Sequence, residues 1–197
     1  FAVQEDLERI EQAYRDAGYF AVSTRVKLTP LESDRIAVEV IVEEGRPVFL
    51  DHWKIDVQTS QDEEDPPSQE ELTQLESQIP TASGSQFGAA VYRETRESVM
   101  QTAAEQGFIQ ARIRGGAKVD PDAGTASVDW ILELGRRQSF GEVELEGLEN
   151  VEAEIVRREL RFSPGDRFRP SLLEESERRL VATGLFRSAA IGRPPQD

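Results

Sequence analysis

The sequence predicts an α+β array: tandem β-α-α-β-β units, each a small mixed sheet with two helices on one face. Three observations carry this prediction. One local pattern occurs about three times, a helix ending in small residues, then glycine, a large apolar residue and an alternating strand. It reads Ala17, Gly18, Tyr19, Phe20, Ala21, Val22 in the first copy and Gln106, Gly107, Phe108, Ile109, Gln110, Ala111 in the second. The third copy is Thr183, Gly184, Leu185, Phe186, Arg187, Ser188. The repeat of roughly 80–90 residues is too long for a solenoid unit and suits a small domain. Finally, apolar periodicity between the glycines switches from two to about four and back, as strands alternating with helices require.

Residues 1–44 match only the second half of the plan. A helix over Val3 to Ala17 carries Leu7, Ile10 and Tyr14 on one stripe, and strands follow at Phe20 to Leu28 and Ile36 to Val42. The opening strand and helix of this unit are expected to be missing, as from a cut through a larger protein. Residues 45–134 form the complete unit. Its first strand, Val48 to Val57, places Trp53, Ile55 and Val57 on one face. An acidic, proline-bearing loop, Gln61 to Pro67, precedes a helix opened by Ser68, with Glu71 completing a capping box. Leu72, Leu75 and Ile79 form that helix's apolar stripe. A second helix, Phe87 to Gln106, repeats Phe87, Val91, Thr95, Val99 and Ala103 every four residues. Gly107 suits a left-handed helix end. Strands follow with Ile109, Ala111 and Ile113 alternating, then, past the Asp120 to Gly124 turn, Ala126, Val128, Trp130, Leu132 and Leu134. Val38, Val40 and Val42 precede Val128, Trp130 and Leu132 by 90 residues and should face inward as they do.

Residues 135–197 repeat the plan without its last strand. Phe140 to Leu148 is the expected first strand, Asn150 the expected cap of a helix over Val151 to Leu160, and Pro170 a first-turn residue of the next helix. Gly165 follows Gly84 by 81 residues, but Gly184 follows Gly107 by only 77. The second helix here should therefore be four residues, about one turn, shorter, with its apolar face in phase. A strand over Phe186 to Ile191 ends the unit.

The chain has 197 residues and a net charge of −15, which argues against a general nucleic-acid binder. From Val151 to Asp197, nine arginines face eight acids, so the remainder carries −16. No apolar stretch approaches the roughly 18 residues that span a bilayer. The absence of cysteine excludes disulfides, zinc–thiolate sites and thiol catalysis.

The helix–glycine–aromatic–strand step resembles POTRA domains, periplasmic modules of outer-membrane insertase proteins. So do Gly135 with Phe140, Gly141 and Val143, the run Gly165, Asp166, Arg167, Phe168, and the run Thr183, Gly184, Leu185, Phe186. The entry Gly45, Arg46, Pro47, Val48, Phe49, and Ile155 to Leu160 with Pro164 to Phe168, look most like the TamA-type branch, in which three such domains precede a membrane barrel. The resemblance implies a periplasmic scaffold, part of an outer-membrane protein, that assembles and translocates clients such as autotransporters. Its implied partners are unfolded outer-membrane proteins, a TamB-like inner-membrane protein and its own barrel. BamA-like and two-partner-secretion parents, a division-type scaffold and an adhesive array are the alternatives. The family brings no catalytic residue and no cofactor.

The residues offer little chemistry of their own. His52, the sole histidine, is expected on an exposed strand face opposite Trp53, without the partner and pocket a general base needs. Asp62, Glu63, Glu64 and Asp65 lack the alternation and glycine of a calcium loop and read as solvated. Gly115 and Gly116 are followed by no phosphate-loop lysine and read as a bulge or strand end. An enzyme is not expected. A three-stranded sheet does leave an unpaired edge, which can accept an extended client. In POTRA folds this edge is the second strand, which places it at Phe108 to Arg114, with Gln110, Arg112 and Arg114 outward. These residues either receive a client or guard the edge against aggregation. A second candidate is a basic patch of Arg157, Arg158, Arg161, Arg167 and Arg169, turned toward lipid headgroups or a barrel rim.

Overall fold

Ala126, Val128, Trp130, Leu132 and Leu134, the longest strict alternation in the sequence, are each no more than 2% exposed in the computed structural model. The structure describes residues 2–31, 35–60, 63–80, 83–148, 151–186 and 188–192. In chain order the elements are α1 (Ala2–Asp16), β1 (Ser23–Leu31), β2 (Arg35–Glu43), β3 (Phe49–Gln58), α2 (Gln69–Ser77), α3 (Ala89–Glu105), β4 (Arg112–Asp120), β5 (Thr125–Glu133), α4 (Ala153–Glu159) and α5 (Pro170–Ala182). They form one two-stranded sheet, β1-β2, and one three-stranded sheet ordered β3-β5-β4. The central position of β5 explains its burial, since it has a neighbour on each side and an apolar row on one face.

By packing, the chain divides into two compact units, one of Phe1–Asp56, Glu76–Val99 and Ile113–Leu132, the other of Val57–Leu75, Met100–Arg112 and Glu133–Asp197. In the first unit, β1 and β2 are antiparallel, with Val26 opposite Val40 and Leu28 opposite Val38. Thr24 joins this sheet to α1, its N–H and hydroxyl both donating to Glu11 at 3.0 and 2.9 Å. These bonds hold the Glu11 carboxyl below its ordinary range. Val38 and Val40 correspond to Val128 and Trp130 but are 56% and 44% exposed, against the inward placement expected of them. The reason is coverage: β2 has β1 on one side only, and among the described residues no strand takes the place on β2 that β3 takes on β5.

The first unit also holds an aromatic cluster. Trp53 lies edge-on to Trp130 at 4.9 Å and stacks with Tyr92 at 5.9 Å. The Trp130 indole N–H donates to the Tyr92 hydroxyl at 3.3 Å. Phe87 meets Trp53 at 5.9 Å from a position two residues before α3 begins, later than the sequence places that helix start.

In the second unit, the capping box forms as read: the Ser68 N–H donates to Glu71 at 2.8 Å and the Glu71 N–H to Ser68 Oγ at 3.2 Å. α5 has 13 residues against 17 in α3, the four-residue difference the glycine spacings require. Pro170 occupies its first turn. α4 begins later than predicted, at Ala153, with Glu152 at the N-cap and no side-chain cap; Asn150 lies outside the described residues. The strands expected at Phe140 to Leu148 and Phe186 to Ile191 are absent among the described residues, leaving a single bridge between Ser139 and Arg167. In the β3-β5-β4 order the first and second strands of a unit never touch; both need the central one. Among the described residues of 135–192 no strand fills that centre, so local alternation has nothing to pair with.

Candidate functional site

β4, like β3, is an outer strand of the three-stranded sheet, and among the described residues no strand pairs with its outer side. It starts at Arg112, four residues later than the sequence reading. Of the predicted edge residues, Arg112 and Arg114 are on the strand and exposed, while Gln110 sits exposed in the preceding turn. Phe108 is not an edge residue: it is 1% exposed, its ring covered by the Arg137 guanidinium at 4.4 Å. Phe108 and Ala111, three residues apart, both bury before the strand begins, out of step with the alternation of Ile109, Ala111 and Ile113.

The edge is shaped by Gly115. Its φ of +92° lies in the region L side chains rarely adopt, and a Cβ there would stand 2.2 Å from the Asp129 carbonyl oxygen of β5. The half-buried residues of β4 fall at Ile113, Gly116 and Val119, a break in the period of two that fits the expected bulge. Gly115→Ala is expected to destabilise the fold by about 1–3 kcal/mol and to raise hydrogen exchange along β4; unchanged urea stability would contradict this. A groove on this sheet is lined by Lys54, Ile55, Gly115, Gly116, Lys118 and Asp129.

The helix-ending glycines expected from the sequence carry a second feature. Gly18 and Gly107 have φ of +99° and +91°, and each offers its carbonyl to a backbone N–H about 30 residues further along the chain. The Val48 N–H donates to Gly18 at 3.0 Å, and the Gln138 N–H to Gly107 at 2.9 Å. Around each acceptor the same ladder recurs. Phe87 donates to Val48, Leu50 to Ser85 and Gly84 to Leu50, each at 2.8 Å. Phe168 donates to Gln138, Phe140 to Asp166 and Gly165 to Phe140, at 2.9, 2.8 and 2.7 Å. One backbone arrangement thus occurs twice, with each copy inside one compact unit.

Side chains differ between the two copies. At the first, Arg93 grips Asp16 with both guanidinium nitrogens at 3.0 and 2.9 Å, holding that carboxyl below its ordinary range. Gly88 lets the backbones approach, since a Cβ there would lie 2.1 Å from the Asp16 carbonyl oxygen. At the second, Arg137 and Arg167 converge on Glu71, with Nη1 to Oε1 distances of 2.9 and 2.6 Å. Arg137 also donates to the Asp65 and Gln106 carbonyls, both at 2.9 Å, and its side chain is only 4% exposed. Glu71 is held down to about 2, first by the Arg137 hydrogen bond. Glu63 and Asp65 belong to this cluster: the Arg137 N–H donates to Glu63 at 3.1 Å, and Arg167 reaches Asp65 at 3.0 Å. Their loop is therefore anchored rather than merely solvated, a correction the sequence could signal only through its acids.

The expected basic patch is broken up by the same chemistry. Arg158 pairs with Glu159, Arg161 with Glu175, and Arg167 with Glu71 and Asp65. Arg157 and Arg169 are exposed. His52 is half-buried, its Nδ1 2.9 Å from Asp51 and its Nε2 3.5 Å from Asp129.

A small three-stranded sheet ordered β3-β5-β4, packed with helices and carrying one backbone ladder twice, defines an α+β domain class. A family model described as "POTRA: Surface antigen variable number repeat" matches residues 1–45 and 138–196, more than half of the chain. The chain belongs to the POTRA family. Its fold is similar to POTRA domains 3–5 of BamA from Haemophilus influenzae, with 22% identity and a TM-score of 0.59 over 94% of this chain and 71% of that one. It is also similar to BamA from Haemophilus ducreyi lacking POTRA domains 1–3, with 19% identity and a TM-score of 0.60. That match covers 74% of this chain and about a quarter, 26%, of the other.

Proposed function

We propose that the chain is a periplasmic protein-interaction scaffold of an outer-membrane protein assembly and translocation factor, and that it takes extended clients onto β4. The open edge of β4 carries this reading. Main-chain hydrogen bonding tolerates many sequences, which suits unfolded barrel strands, and the exposed Arg112 and Lys118 keep the edge from pairing with itself. The repeats divide as 1–44, 45–134 and 135–197, and no chemical step is assigned to any of them. We read the parent as TamA-type on the entry and glycine motifs, with autotransporters among its clients, a TamB-like inner-membrane partner and its own barrel. A BamA-like parent is the second reading, favoured by the likeness to two BamA structures.

A photocrosslinking residue at Arg112 or Lys118 is expected to capture a urea-diluted outer-membrane barrel polypeptide several times more strongly than one at Glu97 on α3. Arg112→Pro, at the first strand position where proline is tolerated, is expected to lower capture at Lys118 while far-UV circular dichroism is unchanged. Equal capture at Glu97 would remove the edge as the docking site.

A further inference from the structure

We propose that Glu71 couples two events: capping of α2 and docking onto it of the chain around Arg137 and Arg167, so that each strengthens the other. The carboxylate is shared between the two. Oε2 accepts the Ser68 N–H at 2.8 Å, closing the cap. It also accepts Arg137 Nη2 at 3.1 Å, while Oε1 accepts Arg137 and Arg167. Four donors on two oxygens fill a carboxylate's capacity. The group is 15% exposed, so few water molecules stand ready to replace a lost donor.

The consequence is reciprocal. When Arg137 and Arg167 leave, Glu71 regains its freedom to rotate, and the cap loses the preorganised carboxylate that closes it. When the cap opens, Glu71 is no longer pinned where both guanidinium groups can reach it. Coupling between two equilibria acts equally in both directions. The first junction has no such arrangement, because Asp16, which Arg93 grips, is the last residue of α1 rather than part of a cap.

Hydrogen exchange on the whole chain tests this. Ser68→Ala removes the cap hydroxyl and touches neither arginine. It is expected to raise exchange about fivefold at Phe140, Gly165 and Phe168 as well as in the first turn of α2, the scale of a lost N-cap. Arg137→Met is expected to raise exchange in the first turn of α2, although the substitution lies in another repeat. Arg93→Met should leave α2 protected. Glu71→Gln serves as the milder variant should Arg137→Met unfold the chain, and is expected to affect both regions together. A Ser68→Ala effect confined to α2 would overturn the coupling, even if β4 still captures clients. Loss of capture at β4 with the reciprocal exchange intact would leave it standing.

Discussion

Glu71→Ala is expected to cost about 3–5 kcal/mol of stability, the range for removing one partner of a buried ion pair. The loss comes less from the vanished attraction than from what remains. Arg137, with its side chain 4% exposed, keeps the Asp65 and Gln106 carbonyls, the Asp65 carboxylate at 3.2 Å from Nε and the face of Phe108, but its Nη2 loses the Glu71 oxygen at 3.1 Å. Urea titration followed by circular dichroism measures the effect. Acid supplies an independent check. The Glu71 carboxyl is held down to about 2 from an ordinary 4.5, so its stabilisation is complete above about pH 4.5 and is lost as pH falls toward 2. Wild type and Glu71→Ala should therefore differ most near pH 6 and converge near pH 2. A difference independent of pH would show that packing, not charge, holds the cluster.

Trp130→Ala is the other large effect, about 3–5 kcal/mol, as for aromatic truncation in a packed core. Trp130 is 2% exposed on the central strand and touches Trp53 and Tyr92 edge-on at 4.9 and 5.3 Å. Truncation opens a cavity beneath both rings and leaves the Tyr92 hydroxyl without the indole donor. Trp130→Phe fills most of that space and should cost markedly less. Against a whole-domain stability of about 5–15 kcal/mol, the alanine variant should lose much of its near-ultraviolet circular dichroism before its far-ultraviolet signal. Equal urea midpoints for Trp130→Ala and Trp130→Phe would refute the cavity argument.

What the sequence made legible follows the range of the interactions concerned. β5 was readable because its inward row is complete, and the Ser68–Glu71 box because both partners sit within one turn. The glycines marked the helix ends because backbone geometry demands them there. The strand expected at an edge, β4, is one of the sheet's two outer strands, and it starts later than local pattern suggests because Phe108 and Ala111 bury from outside it. The two strands expected after Phe140 required a central partner, and no local alternation reveals whether one is present. The Arg137–Glu71 and Arg167–Glu71 contacts span 66 and 96 residues. Charged residues on exposed-looking loops carry no periodicity, so the capping-box glutamate was read for its nearest role alone.

The unequal lengths of α3 and α5 set a rule for how such an array can change over generations. Each residue added to a helix turns its far end by about 100°. Deleting one or two would swing the terminal glycine's carbonyl away from the backbone N–H it meets, whereas removing four returns it to within about 40° of its former bearing. Insertions and deletions in these helices should therefore survive mainly in increments of a turn, and the array can vary its module length without redesigning its joints.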